Sequence, residues 1–164
     1  MGGMESGIQY WLGKKTTTEE CRSLDVNELA RDSVFRVGSK GVLYWWSVGE
    51  TGTPSASIRF RVLCNHNQRF FQIHYRWNDT GNVSQSILLQ TTRPNFGGIR
   101  WWFECPHVVR GDPCARRVGK LYLKNRFFAC RNCHDLTYRS CQQSHRVKQL
   151  ARRITERALA QHRS

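Results

Sequence analysis

The stretch FFACRNCHDLTYRSC, Phe127 to Cys141, constrains this chain more than any other, because Cys130 and Cys133 are separated by two residues. At that spacing two thiolates on one tight turn can face a single ion at about 2.3 Å. The chain has seven cysteines, an odd number that cannot pair off fully. The N-terminus MGGMESGIQYWLGKK lacks the apolar centre of a secretory signal. No apolar run approaches the roughly 20 residues that span a bilayer. The expectation is a soluble, cytoplasmic protein with no membrane partner, in a compartment that keeps thiols reduced. Metal binding or burial, rather than disulfides, then accounts for the cysteines.

The partner pair is less regular. Eight residues separate Cys105 from Cys114 in CPHVVRGDPC, so a loop must bulge between them. Fifteen residues separate Cys114 from Cys130, and they include GKLYLKNRFFA, a readable hairpin with Asn125 at its turn. Two ligand pairs bracketing a hairpin describe a zinc ribbon with Cys105, Cys114, Cys130 and Cys133 as the metal ligands. One structural Zn2+ is expected rather than an iron-sulfur cluster, because four thiolates make a closed tetrahedral site and no compact ferredoxin-type cysteine run is present. Four thiolates on one divalent ion leave a charge near minus two, which Arg116, Arg117 and Arg131 are placed to offset. His107, two residues after Cys105, and Cys141, eight beyond Cys133, compete as substitute ligands. His134 adjoins Cys133 and reads as a hydrogen-bond partner or surface group. Cys21 and Cys64 have no partner motif and read as small buried hydrophobes.

Upstream, the hydrophobic period is two. Val42, Tyr44, Trp46 and Val48 alternate with Leu43, Trp45 and Ser47, and the pattern returns in Ile58-Phe60-Val62, Phe71-Ile73-Tyr75-Trp77 and Val83-Gln85-Ile87-Leu89. These predict four strands. The breaks at Gly52-Thr53-Pro54, Asn65-His66-Asn67 and Asn78 to Asn82 carry turn residues, so neighbouring strands run antiparallel. A short helix is predicted in SLDVNELARDS, with Ser23 or Asp25 as its cap. The organisation predicted is a flexible arm over residues 1–22, an antiparallel β domain over 23–98, a zinc ribbon over 99–143 and a basic helix over 144–164. The fold class is α+β, an antiparallel β meander packed on a four-cysteine zinc ribbon and followed by that basic C-terminal helix.

The net charge is +14, and residues 115–164 hold thirteen Lys and Arg against Asp135 and Glu156, a balance of +11. So concentrated a positive field attracts polyanions, and nucleic acid, DNA or RNA, is the partner expected. In the helix, Val147, Leu150, Ala151, Ile154 and Ala158 form an apolar stripe. Arg146, Lys148, Arg152, Arg153 and Arg157 surround the rest and are the contact candidates, with Arg116, Arg117 and Arg131. Arg59, Arg61 and Arg76 on polar strand faces either extend this surface or are simply solvated. The doublets Trp45-Trp46 and Trp101-Trp102 put one ring on each face of a strand. The second ring of each stacks on bases or, as is expected here, fills the interface between sheet and ribbon.

Catalysis has little support. A zinc deaminase needs a histidine two residues before a glutamate, which is absent, and Ala129 stands where a proline should precede the second pair. His134 and Asp135 adjoin as in some metal-dependent nucleases, but no second acidic cluster accompanies them, and they read as a cap on the turn after the ligand pair.

The string CARRVGKLYLKNRFFACRNCHDLTYRSCQQSH, Cys114 to His145, resembles a bacterial and mobile-element zinc-ribbon family with no assigned activity. In that family a Trp-rich strand ends in Cys-Pro and precedes C-x-R-R-V-x-K-L-Y-L and F-x-C-R-x-C-x-x-L-T-Y-x-S-C-Q. SLDVNELARDSVFRVG and NFGGIRWWFECP are similar to its N-terminal half, and residues 1 to about 20 fall outside the match. The resemblance implies that Cys105, Cys114, Cys130 and Cys133 are the metal pairs and that a long first loop occurs among members. The function expected is a non-enzymatic zinc-ribbon protein that binds nucleic acid through its basic C-terminal surface. The alternative is a mobile-element protein-interaction module, such as an inhibitor of a host nucleic-acid enzyme or defence complex.

Overall fold

Alternating apolar and polar side chains drive the chain into extended pairing, and the computed structural model describes this for residues 15–46, 52–78 and 81–142. Contacts divide the chain into two units, one formed by residues 21–134 and the other, among the described residues, by 15–20 with 135–142.

In the larger unit, β1 (Ser23–Asp25) leads into α1 (Val26–Arg31). The Asp25 side chain caps this helix by accepting from the Asn27 N–H at 2.8 Å, which ties down one amide that lacks a partner inside the helix. The predicted short helix is present, and the strand before it was not foreseen. β2 (Lys40–Trp45), β3 (Ala56–Asn65), β4 (Gln68–Arg76) and β5 (Asn82–Thr92) then form the expected antiparallel meander. The β3–β4 reversal places His66 at φ 45° and Asn67 at φ 65°, the doubly left-handed turn whose twist matches that of paired strands. β6 (Arg100–Glu104) pairs with β5, and β9 (Arg117–Val118) pairs with β6, giving the sheet order β2-β3-β4-β5-β6-β9. The segment IRWWFEC, read as the opening of the ribbon, is thus also a strand of the meander sheet.

β7 (Val108–Val109) and β8 (Asp112–Pro113) form a small hairpin. β10 (Lys120–Lys124) and β11 (Phe127–Ala129) form the predicted ribbon hairpin, with Asn125 and Arg126 at φ 51° and 75° in its two-residue turn. β1 adds a third strand along β10, pairing Leu24 with Leu121.

One face of the six-stranded sheet packs on the three-stranded one. Val62, Phe71, Ile73, Ile87 and Phe103 from the first share a core with Leu24, Leu121, Phe128 and Ala129 from the second. Gln85 occupies an inward position among them. Its amide donates to the Phe128 carbonyl at 3.2 Å and accepts from the Phe128 N–H at 2.7 Å, so a side chain supplies β11 with the pairing that a further strand would give. The Tyr75 hydroxyl donates to the Arg126 carbonyl at 2.6 Å, and its burial raises its pKa.

The tryptophan doublets split across the sheet, and the outcome corrects the expectation for their second rings. Trp45 stacks on Phe128 at 6.4 Å and Trp101 lies 5.3 Å from Phe35, so one ring of each doublet joins the core. Trp46 is 57% exposed, and Trp102 is half-buried on the outer face beneath the Arg100 guanidinium at 4.2 Å. Neither second ring fills the interface.

In the smaller unit, a parallel bridge joins Thr17 to Thr137. Lys15 pairs with Asp135 at 2.7 Å, and the Glu19 carboxylate accepts from the Arg139 N–H at 3.1 Å. Of the arm read over 1–22, residues 15–20 belong to this unit, and Cys21 and Arg22 belong to the larger one. The expected basic helix over 144–164, with Arg146, Lys148, Arg152, Arg153 and Arg157, lies outside the described residues. No helix among the described residues is long and apolar enough to cross a membrane.

Candidate metal centre

Four thiols converge within the larger unit. The sulfurs of Cys105, Cys114, Cys130 and Cys133 all lie within 4.8 Å of one another. Cys105 to Cys133 and Cys114 to Cys130 each measure 3.9 Å, far beyond a disulfide bond, and none of the four is disulfide-linked. Four sulfurs at the corners of a tetrahedron, each about 2.3 Å from its centre, stand about 3.8 Å apart. The cluster therefore has the size and donor chemistry of a site that can bind a metal ion.

Each sulfur has a structural reason for its place. Cys105 follows β6 directly and Cys114 lies just before β9, so the edge of the six-stranded sheet carries the first pair. The eight-residue insertion does not wander between them. It zips into the β7–β8 hairpin about Arg110 and Gly111, at φ 53° and 94°, and returns Cys114 to donate its N–H to the His107 carbonyl at 2.8 Å. Cys130 follows β11, and the turn to Cys133 closes when the His134 N–H donates to the Cys130 carbonyl at 3.2 Å. The two cysteine pairs thus come one from each of the two larger sheets.

Backbone amides point at the sulfurs, as a thiolate cluster demands. The Cys130 N–H donates to the Cys105 sulfur at 3.3 Å. Burial still pushes the Cys105 thiol up to about 11, with the His107 and Cys130 amides opposing it. Burial also raises Cys133, aided by the neighbouring sulfurs. For Cys114, desolvation is outweighed by the Arg116 amide and the other thiols, and its pKa falls. A metal entering this site must displace protons, so its affinity rises with pH.

The other candidates fall outside the cluster. His107 and Cys141 are not among the clustered donors. His134 is buried, with Nε2 at 2.9 Å from the Tyr122 carbonyl and 3.1 Å from that of Phe127, which makes it the donor that ties β10 to β11. Burial lowers its pKa, so the neutral ring persists. Arg116 and Arg117 are exposed and Arg131 half-buried. Arg117 donates from Nε to the Gln90 side-chain oxygen at 3.1 Å, and the Arg116 carbonyl accepts from the Cys105 N–H at 2.9 Å. Cys21 is half-buried and Cys64 exposed, so the buried reading fails for Cys64. Gln85, which holds the strand that delivers Cys130, was missed. Its signal was present, as the one polar residue at an inward position in Val83-Gln85-Ile87-Leu89.

No family model matches the chain, and neither a curated protein nor a solved structure matches it.

Proposed function

We propose that Cys105, Cys114, Cys130 and Cys133 hold one Zn2+ as a structural ion in a ribbon-like module, and that the protein binds nucleic acid without acting as an enzyme. The observation that carries this reading is the mutual approach of four thiols within 4.8 Å, with opposed pairs at 3.9 Å. Zinc suits an all-sulfur tetrahedral set, and four protein ligands leave no open position for an activated water. The ion's role is then to lock two sheets together, its binding energy becoming folding energy.

The nucleic-acid part rests on charge. A net +14, with thirteen Lys and Arg after residue 114, favours a polyanion, and the tail residues Arg146, Lys148, Arg152, Arg153 and Arg157 would join Arg116, Arg117 and Arg131 in contacting phosphates. Native mass spectrometry of the full chain is expected to give one zinc per chain, lost on chelation at low pH. Affinity for a mixed-sequence oligonucleotide should fall steeply with salt, by about 0.7 to 0.9 in log K per decade for each phosphate neutralised. A protein without stoichiometric metal would defeat the first part, and absence of binding at low salt the second.

A further inference from the structure

The meander sheet has two faces, and among the described residues only one is covered. On the other, the register places Lys40 directly opposite Arg61, and Arg59 lies two residues along the same strand. Directly opposed like charges destabilise a strand pair, and among the described residues neither cation is joined to an acid by an ion pair. Among the described residues the face carries one acid, Glu104, and that carboxylate accepts a hydrogen bond from the Gln90 amide. Arg76 and Arg100 add further exposed cations.

Aromatic rings are interleaved with these charges. Tyr44 is 54% and Trp46 57% exposed, the first within and the second just past the strand that pairs with Arg59 and Arg61. At the far side of the sheet Trp102 is held in a fixed pose, its Nε1 donating to the Thr92 hydroxyl at 3.0 Å while Arg100 covers its ring. Flat rings exposed between unneutralised cations match one kind of partner in both respects. An acidic protein surface would satisfy the cations and leave the rings in water, and an apolar partner would bury the cations unpaired. Duplex nucleic acid offers phosphates but hides the faces of its bases. A single strand offers both, its phosphates to the arginines and its unstacked bases to the rings.

We infer that the open face of the six-stranded sheet, through Tyr44, Trp46, Arg59 and Arg61, is a binding platform for single-stranded nucleic acid. The inference rests on the nucleic-acid reading above and shifts its main contact from the C-terminal tail to the sheet.

The test uses the full metal-loaded chain and fluorescence anisotropy with labelled 12-nucleotide oligothymidylate and oligouridylate, alongside a 12-base-pair duplex. Trp46→Ala is expected to weaken single-strand binding about 5- to 150-fold, the range for loss of one base stack. Arg59→Ala with Arg61→Ala should lower the slope of log K against log salt by about 1.4, or 0.7 for each phosphate contact. Both changes are at exposed positions, and unchanged metal content and circular dichroism confirm that the variants fold. Preference for either the deoxyribose or the ribose oligomer over the duplex supports the inference. It is overturned if these variants bind as the parent does while Arg152→Ala with Arg153→Ala weakens binding, an outcome that leaves the tail reading intact. Tighter binding to the duplex than to either single strand also overturns it. No binding of the parent to any probe at low salt removes both readings together.

Discussion

The two principal sheets of the larger unit reach order by different means. The six-stranded sheet has strands of up to eleven residues and buries Phe71, Ile73 and Ile87 completely. Apolar area of that kind, at about 25 cal/mol per Å2, is ordinary core stabilisation. The three-stranded sheet has strands of only three, five and three residues. It offers Leu24, Leu121 and Phe128 to the shared core and adds fixed polar attachments: Gln85 on the Phe128 backbone, His134 on the carbonyls of Tyr122 and Phe127, and the thiol cluster beyond β11. Where little surface can be buried, directional bonds substitute for area, and the thiol cluster adds a place where a metal ion could do the same.

The largest effect should come from the cluster. Cys130→Ser removes one of the four buried or half-buried sulfurs proposed to hold zinc, and structural zinc contributes about 10–16 kcal/mol in small zinc domains. Native-state hydrogen exchange should show β10 and β11 losing protection while β3 to β5 keep theirs. Phe71→Ala is the complementary break, and in the metal-loaded protein it should lower global stability by about 3–5 kcal/mol with the metal retained. Simultaneous, equal loss of protection in both sheets for Cys130→Ser would erase the contrast between them.

A smaller loss, about 3 kcal/mol, is expected for Gln85→Ala, which strands the buried N–H and carbonyl of Phe128 without partners. Chemical denaturation measures it, and a cost below about 0.5 kcal/mol would mean that β11 does not depend on the side-chain pairing.

The smallest effect tests the seam between β1 and the ribbon. Desolvation works to raise the Asp25 carboxyl, but Lys120 at 3.0 Å and the Asn27 N–H outweigh it, and its pKa lies below the ordinary 3.8. A lowered carboxylate contributes stability above the unfolded value of 3.8, and this is lost as pH falls through the folded value. Asp25→Ala should therefore cost about 1 kcal/mol at pH 7, with the difference from the parent vanishing in strong acid. A pH-independent difference in denaturation midpoint would assign the effect to something other than this charge.

Much of the molecule can be read locally. Strands β2 to β5 follow from period-two patterning because each side chain's face is set by its immediate neighbours, and Asn67 and Asn125 mark turns because asparagine tolerates the left-handed backbone there. The C-x-x-C pair likewise announces, by spacing alone, a turn that brings Cys130 and Cys133 to one place. The return of Cys114 to Cys105 was less legible, since it depends on a hairpin whose turn begins at Arg110, a residue with no preference for positive φ.

What the sequence by itself determined is therefore strands β2 to β5, the β10–β11 hairpin, the turns at Asn67 and Asn125, and the close spacing of Cys130 and Cys133. Only the tertiary structure decided that Leu24 meets Leu121, that IRWWFEC extends the meander, and that Trp46 and Trp102 face outward while Trp45 and Trp101 face the core. The physical reason is range. Backbone preferences act over a few residues, whereas the pairing of distant segments and the choice of which sheet face to cover follow from burying one shared core.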